Sequence, residues 1–127
     1  MRLPATILVE ALELHAFHGW HPHEGAFGQQ FSVDLEMVVD IGAVADSDEL
    51  RDALDYGAVI AATRALFVEK RHKMLEAAAV ALGRGLLAQF ARIQSIKVRV
   101  KKLAPPVPEK LAFAGVEVKL DRSAIGG

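Results

Sequence analysis

Apolar and basic residues alternate with period two between residues 96 and 102, which predicts a β-strand with one buried face. The apolar positions of this strand are Ile96, Val98 and Val100. Lys102 shares their parity, so it falls on the apolar side at the end of the strand. The strand has to stop soon afterwards because Pro105 and Pro106 cannot continue a ladder of hydrogen bonds. A lysine at the rim of a buried face either extends its ammonium into water or moves protons, and the strand alone leaves both interpretations open.

The N-terminal third of the chain predicts two more strands joined by a loop. Residues 6–17 alternate but lose phase near Ala11, which predicts a β-bulge within one strand. Residues 30–41 alternate without a break and predict the strand that pairs with the first as a hairpin. Residues 18–29 between them are rich in glycine and histidine, and they predict a loop of the kind that often carries function.

The middle of the chain predicts two helices. From Asp55 the apolar period lengthens to that of an amphipathic helix, and Asp55 is its expected N-cap. The polar residues 42–54 before it predict a surface connection. A second helix is predicted over residues 74–90, with a buried stripe of leucines and alanines and with Gly83 allowing close approach to a neighbour. The basic run 70–73 suits the C-terminus of the first helix.

A last strand is predicted over residues 114–121, followed by a frayed tail over residues 122–127. The order is therefore ββααββ in one domain spanning residues 1–127. This is an α+β fold, a four-stranded antiparallel sheet with two helices on one face. Such a sheet leaves its other face and both edges without cover. We therefore expect copies of the chain to close the edges in a homo-oligomeric ring.

Composition narrows the class of protein. Of the 127 residues 52% are hydrophobic, and 15 basic against 16 acidic residues give a formal net charge of -1. No long run of one sign occurs, so nucleic acid is not an expected partner. The chain has no cysteine, which excludes disulfides, thiolate nucleophiles and cysteine metal sites. Short apolar runs and the lack of a signal-peptide pattern predict a cytoplasmic protein that does not enter a membrane.

Three side chains outside the strands could carry chemistry, and each also has a plainer role. Glu24 lies in the glycine-rich loop, where a solvated acid is the plainer interpretation. Tyr56, the only tyrosine, lies in the first turn of a helix and could simply cover the edge of the core. Glu76 lies near a helix N-terminus, where the dipole favours an anion. As a buried carboxylate among apolar neighbours, Glu76 could instead accept two N–H bonds from a guanine or a pterin.

Three histidines in the loop, His18, His21 and His23, raise the alternative of a zinc site with an open position. Metal ligands usually come from fixed elements at regular spacings, and Pro22 makes this loop hard to interpret that way. We therefore predict no metal site.

Taken together, these segments resemble the dihydroneopterin aldolase family from about Ile7 to Leu120. Four short motifs, each weak alone, occur in the family's order and spacing. They are His18-Gly19 followed by Glu24 and Gly28-Gln29, Asp55-Tyr56-Gly57 opening a helix, Leu75-Glu76 before three alanines, and Lys102 before Pro105-Pro106-Val107-Pro108. The chain departs from the family at Trp20 and His21, where smaller or aliphatic residues are usual, and at Ala53, where many members carry a hydroxyl.

The resemblance implies the tunnelling fold, in which four subunits complete a barrel, two rings stack into an octamer, and active sites lie between subunits. It also implies a lyase of folate biosynthesis. The reaction would be retro-aldol cleavage of 7,8-dihydroneopterin, a pterin substrate, into 6-hydroxymethyl-7,8-dihydropterin and glycolaldehyde. Neither a metal, nor a cofactor, nor a lysine Schiff base would be required, because the 5,6-imine of the substrate can accept the electrons of the breaking bond.

The resemblance also implies roles for individual residues. Lys102 would be the general acid and base, and Tyr56 would reach the pocket from the adjacent subunit and share the proton relay. Glu24 would bind the hydroxyls of the trihydroxypropyl chain. The pterin itself would be held by Glu76, Leu75 and Leu54.

Three other functions stay open. An epimerase acting at C2' of dihydroneopterin, or of its triphosphate, would share the first half of the reaction. A triphosphate calls for lysine or arginine near Glu24, and the loop of residues 18–29 has none. A zinc-dependent pterin enzyme similar to pyruvoyl-tetrahydropterin synthase would lack that family's cysteine nucleophile here. A non-catalytic, ring-forming pterin-binding protein is the third alternative.

Overall fold

A four-stranded antiparallel sheet in the order β1-β2-β3-β4 forms one layer of the computed structural model, which describes residues 1–126. The strands are β1 (Pro4–Ala16), β2 (Gln29–Asp40), β3 (Ser95–Lys102) and β4 (Ala114–Asp121). Because β2 pairs with β3, the hairpin β1-β2 and the hairpin β3-β4 join at the middle of the sheet, and β1 and β4 remain as its edges.

The bulge expected near Ala11 is confirmed. The register of β1 against β2 shifts between Val9 and Leu12, and Ala11 has a φ of 57°. Its N–H, which the ladder cannot use, donates to the carboxylate of Asp34 at 2.6 Å. The extra residue therefore lets both halves of β1 keep their apolar side chains on the covered face.

Two long helices cover that face, α3 (Tyr56–Glu69) and α4 (Leu75–Gln89). Asp55 caps α3 as predicted, its carboxylate accepting the N–H of Ala58 at 3.2 Å. Gly83 permits the close packing of α4 on the sheet, because a Cβ there would lie 2.5 Å from the side chain of Leu120. The largest fully buried side chains include Phe31, Leu35, Met37, Phe67, Leu82 and Leu86. Burial of each contributes about 1.5–3 kcal/mol to the stability of this layered core.

Two short helices modify the expected ββααββ order. The first, α1 (Pro22–Phe27), follows β1 in the segment that the sequence predicts as a loop. It forms because Pro22 has the φ of a first helical turn and because Glu24 accepts the N–H of His21 at 3.2 Å. The second, α2 (Gly42–Ser47), lies with a 3₁₀ turn, Leu50–Asp52, in the predicted surface connection.

The segment after β4 is ordered where the sequence predicts a frayed tail. Residues Arg122–Ile125 form a 3₁₀ turn. The guanidinium of Arg122 donates to the carbonyls of Leu87 at 2.9 Å and Phe90 at 2.8 Å. The carbonyl of Leu87, in the last turn of α4, has no partner within the helix, so Arg122 supplies one. The carbonyl of Phe90, the C-cap residue, accepts both Arg122 and the N–H of Ile93 at 3.1 Å. Gly127 lies outside the described residues. No helix within residues 1–126 combines the length and apolar character needed to cross a membrane.

Candidate active site

Lys102, the last residue of β3, forms a buried ion pair with Glu24 of α1. Its Nζ donates to Oε2 of Glu24 at 2.5 Å. Lys102 is 8% exposed and Glu24 is 3% exposed. The ammonium does not reach bulk water, so the interpretation of Lys102 as a side chain that extends into solvent is wrong. Each buried charge depends on the other, because an unpaired charge at either position would lose its hydration without compensation.

The carboxylate of Glu24 has two further donors. The N–H of His21 reaches Oε1 at 3.2 Å, and Nε2 of Gln29 reaches Oε2 at 2.9 Å. Burial by itself raises the pKa of Glu24, but the hydrogen bonds from Lys102, His21 and Gln29 outweigh it, and the pKa is lowered. Glu24 is therefore a carboxylate at neutral pH, oriented by three donors. The sequence motif included Gln29 without assigning it this role.

Gly19 provides the space that this carboxylate occupies. A Cβ on Gly19 would lie 2.4 Å from Cδ of Glu24, and the φ of Gly19 is +148°. Side chains rarely adopt that conformation, so both the backbone and the packing require glycine here. The N–H of Gly19 donates to the carbonyl of His72 at 3.0 Å, which holds the loop against the linker between α3 and α4.

The ion pair opens on a pocket of about 370 Å³. Four predicted site residues contribute to its lining: Glu24, Leu75, Glu76 and Lys102. Glu76, in the first turn of α4, is exposed and is not the buried carboxylate that the sequence suggested. The remaining lining residues are Trp20, His21, Lys73, Met74, Pro106, Ala114, Gly115 and Val116. The ionised carboxylate of Glu24, the amino group of Lys102 and the exposed carboxyl side chain of Glu76 thus line one pocket that is large enough for a small molecule.

Known proteins resemble the chain over nearly its whole length. The family model described as FolB, dihydroneopterin aldolase, matches residues 7–119. This chain belongs to the dihydroneopterin aldolase family. It is 34% identical over 116 residues to the dihydroneopterin aldolase of Streptococcus pyogenes serotype M18, covering 91% of this chain and 98% of the relative. It is 33% identical over 117 residues to that of Methylorubrum extorquens, covering 92% and 90%.

The fold of this dihydroneopterin aldolase family member agrees with that assignment. A crystal structure of the FolB protein of Vibrio cholerae superposes with a TM-score of 0.85 at 27% identity, covering 93% of this chain and 98% of that one. The family resemblance inferred from four short motifs is therefore confirmed. The sheet with its covering helices is the framework of this family.

Two predicted site residues lie away from the pocket in this family member. Tyr56, the first residue of α3, is 64% exposed. Leu54 lines a separate hollow of about 310 Å³ together with Phe90 and Arg92. Neither residue lines the pocket of the ion pair. Residues that the family resemblance groups into one site therefore form two separate groups on a single chain.

His18 holds the loop from inside the protein. It is 1% exposed. Its Nε2 donates to the carbonyl of Phe67 at 2.8 Å, and its Nδ1 accepts the backbone N–H of His72 at 2.9 Å. The two partners require the neutral tautomer protonated at Nε2, and burial lowers the pKa of His18. Both ring nitrogens are thereby committed to the fold.

The histidines of the loop do not converge on one point. His21 and His23 stack on each other with ring centroids 5.6 Å apart, whereas His18 points into the core. Across residues 1–126, no three histidine, aspartate or glutamate side chains are close enough together to hold a metal ion. The geometry offers the zinc alternative no ligand set there.

Arg71 holds the loop of residues 18–29 from its outer side through hydrogen bonds to backbone carbonyls. Its Nε donates to the carbonyl of Phe17 at 3.0 Å, and one of its terminal nitrogens donates to the carbonyl of Gly19 at 2.6 Å. The basic run 70–73 directly follows α3, with Lys70 as its C-cap residue, and forms the break before α4 as predicted. The guanidinium of Arg71, however, binds the loop and not the end of α3. Sequence reasoning missed this role because backbone carbonyls more than 50 residues away leave no pattern in the sequence.

Proposed function

We propose that this chain is a dihydroneopterin aldolase, which cleaves 7,8-dihydroneopterin into 6-hydroxymethyl-7,8-dihydropterin and glycolaldehyde in folate biosynthesis. The observation that carries the proposal is the buried pair of Lys102 and Glu24 at a pocket whose edge holds Glu76. Membership of the family and the names of its curated relatives support the same conclusion. We also propose that the enzyme acts in the cytoplasm, which cell fractionation with an antibody would test.

The proposed reaction breaks the C1'–C2' bond of the substrate's side chain. A base removes the proton of the 2'-hydroxyl, and that oxygen becomes the carbonyl of glycolaldehyde. The electrons of the broken bond pass into the 5,6-imine and leave an enamine. A proton returned to C1' restores the imine and gives the hydroxymethyl product. Because the substrate accepts its own electrons, proton transfer is the main chemical task left to the protein.

Lys102 and Glu24 suit that task as a unit. Glu24 remains ionised, so it can accept hydrogen bonds from the side-chain hydroxyls of the substrate. Substrate hydroxyls that bind Glu24 compete with Lys102 for the carboxylate oxygens of Glu24. This binding brings the 2'-hydroxyl of the substrate next to Nζ of Lys102. Lys102 acts once its ammonium has released a proton to solvent. The neutral amine takes the hydroxyl proton, and the ammonium formed in that step returns a proton to C1'. A Schiff base on Lys102 is not part of this route, and neither is a metal.

Glu76 suits the opposite end of the substrate. It is exposed in the first turn of α4 and lines the same pocket as the ion pair. A free carboxylate can accept two parallel N–H bonds from the amino group and ring N–H of a pterin. The backbone of Leu75 at the helix start lies next to it and would assist.

We further propose that the active enzyme is a homo-oligomeric ring in which Tyr56 and Leu54 of one subunit complete the pocket of the next. The separation of these two residues from Lys102 on one chain supports this arrangement. The edges support it too, because β1 and β4 each pair with only one other strand within residues 1–126. Four subunits closing a barrel, and two such rings forming an octamer, would cover these edges.

Incubation of chelator-treated protein with 7,8-dihydroneopterin, followed by chromatography of the pterins, tests the activity. Lys102→Ala is the decisive variant, and Lys97→Ala is its matched control, because Lys97 lies on the same strand but outside the pocket. We expect 6-hydroxymethyl-7,8-dihydropterin from the wild type and from Lys97→Ala, and none from Lys102→Ala. Borohydride added during turnover should leave Lys102 unmodified by mass spectrometry.

The same assay separates the alternatives. Substrate recovered only as its C2' epimer would establish an epimerase and contradict the aldolase proposal. Product that disappears with chelator and returns with zinc would support a zinc-dependent enzyme. Substrate that binds but returns unchanged would leave a pterin-binding protein without this activity.

A further inference from the structure

The guanidinium of Arg71 binds the backbone of the segment that leads into Glu24. Its Nε donates to the carbonyl of Phe17 at 3.0 Å, and one terminal nitrogen donates to the carbonyls of Gly19 at 2.6 Å and His21 at 3.4 Å. None of the ion pairs in the described part of the chain includes Arg71. The side chain therefore acts on this segment through its fork of donors and not as the counter-charge of an acid.

His21 connects this fork to the carboxylate of Glu24. The carbonyl of His21 accepts both Arg71 and the N–H of Glu24, the latter at 3.0 Å in the first turn of α1. The N–H of His21 donates to Oε1 of Glu24 at 3.2 Å. Arg71 thus holds the residue that contacts Glu24 through both backbone and side chain, although Arg71 itself does not line the pocket.

Gly25, the residue after Glu24, leaves room for the guanidinium beside α1. A Cβ at Gly25 would lie 2.5 Å from Nε and 2.6 Å from Cζ of Arg71. Gly25 lies within α1 and is not among the glycines with a positive φ. The backbone conformation therefore does not require glycine at this position, whereas the arginine beside it does.

Arg71 also belongs to the linker that leads into the other end of the pocket. The next residue, His72, binds the loop through both of its backbone groups. Its N–H donates to Nδ1 of His18 at 2.9 Å, and its carbonyl accepts the N–H of Gly19 at 3.0 Å. Helix α4 begins three residues later, with Glu76 in its first turn. Residues 71 and 72 therefore tie the loop of the ion pair to the helix start that carries Glu76.

We propose that Arg71 is a positioning residue for the proposed reaction and sets the span between Glu24 and Glu76. This inference rests on the proposed function of the same pocket. A substrate held by its pterin at Glu76 and by its hydroxyls at Glu24 has to fit that span, and its 2'-hydroxyl meets Lys102 only when both ends are seated. A pterin without a side chain contacts the Glu76 end alone, so its binding does not depend on the span.

The first test compares the wild type with Arg71→Met, Arg71→Lys and the matched control Arg84→Met. Arg84 also donates its Nε to a backbone carbonyl, that of Ala124 at 3.1 Å, but it lies outside the pocket. We expect Arg71→Met to lower kcat for 7,8-dihydroneopterin by roughly tenfold to a hundredfold, because the reacting groups are misplaced. The Kd of pterin without a side chain should stay unchanged. Arg71→Lys has a single nitrogen in place of the fork and should keep an intermediate kcat, and Arg84→Met should match the wild type.

A second variant removes the same contact from the side of α1. Gly25→Ala places a methyl group where the guanidinium lies, and the arginine, being flexible, can move away. Alanine also has the higher helix propensity. The urea midpoint should therefore stay at or above the wild-type value while kcat falls as it does in Arg71→Met. The double variant should be no slower than either single variant, because both substitutions remove one contact.

The outcomes separate the two proposals. The inference about Arg71 is wrong, and the proposed function stands, if Arg71→Met cleaves dihydroneopterin at the wild-type kcat. The same conclusion holds if Arg71→Met weakens the binding of side-chain-free pterin as much as it lowers kcat, or if the effects of Gly25→Ala and Arg71→Met on kcat add.

A wild type that does not cleave dihydroneopterin would show that the proposed function is wrong. Calorimetric titration with oxidised neopterin and with side-chain-free pterin then decides the role of Arg71 separately. A loss of affinity in Arg71→Met that is larger for neopterin than for pterin supports the inference, and an equal change for both ligands overturns it. A wild type that binds neither ligand overturns both proposals.

Discussion

The Cα of Gly19 lies so close to the carboxylate of Glu24 that a Cβ would fall 2.4 Å from Cδ. The glycine of the His-Gly motif is thus a condition for the ion pair between Glu24 and Lys102. A methyl group at this position has to push the carboxylate away from Nζ, and the positive φ adds backbone strain.

Gly19→Ala should therefore lose most aldolase activity, by about tenfold or more, because the group that binds the substrate hydroxyls is displaced. The strain should also lower the free energy of unfolding by about 1–3 kcal/mol. Urea denaturation and kcat/KM measure the two effects. Gly126→Ala is the control, because its φ of +72° is also strained but no atom lies within 4 Å of the added Cβ. A fully active Gly19→Ala protein would contradict the proposed dependence on this contact.

The buried pair predicts an unusual pattern of stability. Glu24→Gln should lower the free energy of unfolding by about 3 kcal/mol, because it leaves the Lys102 ammonium buried without a counter-charge. The double variant with Lys102→Met should regain most of that loss, since an apolar side chain needs no counter-charge, while remaining inactive. Urea denaturation of the single and double variants forms a double-mutant cycle. Additive effects of the two substitutions would show that the charges do not depend on each other.

The acid range gives a separate test of the same pair. The folded pKa of Glu24 is lowered from 4.5, so the unfolded chain binds a proton first as the pH falls. The stabilisation by the ionised Glu24 is complete above pH 4.5, the ordinary pKa of the group. It is lost as the pH falls from there through the lowered pKa of Glu24 in the folded protein. The difference in unfolding free energy between the wild type and Glu24→Gln should shrink over that range. A difference in unfolding free energy that stays constant with pH would contradict the lowered pKa of Glu24.

Much of the fold could be predicted because the spacing of apolar residues distinguishes strands from helices, and because alternate residues of a strand lie on opposite faces of the sheet. Strands of eight or more residues repeat their alternation often enough to identify both faces, so the side of β3 that holds Lys102 was predictable. A cap such as Asp55 has its partner three residues away, and the phase slip at Ala11 is itself a sequence signal. The six residues of α1 are too few to reveal a helical period.

The contacts that assemble the site depend on residues far apart in the chain. Glu24 and Lys102 are separated by 78 residues, and nothing in either segment marks the other as its partner. The family resemblance assigned both residues to one active site, but it did not predict their ion pair. The sequence placed Arg71 correctly after a helix but could not reveal its partners, because local charge patterns do not report a loop that folds back from elsewhere. Tyr56 does not line the pocket on a single chain, and only the family resemblance assigned it to a neighbouring subunit.

His18 predicts a pH dependence at a higher range. Burial lowers its pKa from 6.5, so the unfolded chain takes up this proton before the folded protein does. The contribution of neutral His18 to stability is complete above pH 6.5. It is lost as the pH falls from there through the lowered pKa of His18 in the folded protein. In urea denaturation between pH 7.5 and 5, His18→Gln should lack the part of the decline that the wild type owes to this residue. Identical slopes in the two proteins would contradict the assignment.

The proposed active site between subunits predicts complementation between two inactive proteins. Lys102→Ala removes the proton-transfer group, and Tyr56→Ala removes the residue proposed to come from the neighbouring subunit, so each homo-oligomer should be inactive. Subunits mixed by unfolding and refolding together should form some sites with intact Lys102 from one chain and intact Tyr56 from the next. Statistical mixing should restore about a quarter of wild-type activity per site, because both intact contributions must meet at one interface.

Light scattering of the mixture should report the same oligomer as the wild type. If the mixture stays inactive although the subunits have exchanged, both residues act within one chain or Tyr56 has no role, and the proposed inter-subunit site is wrong.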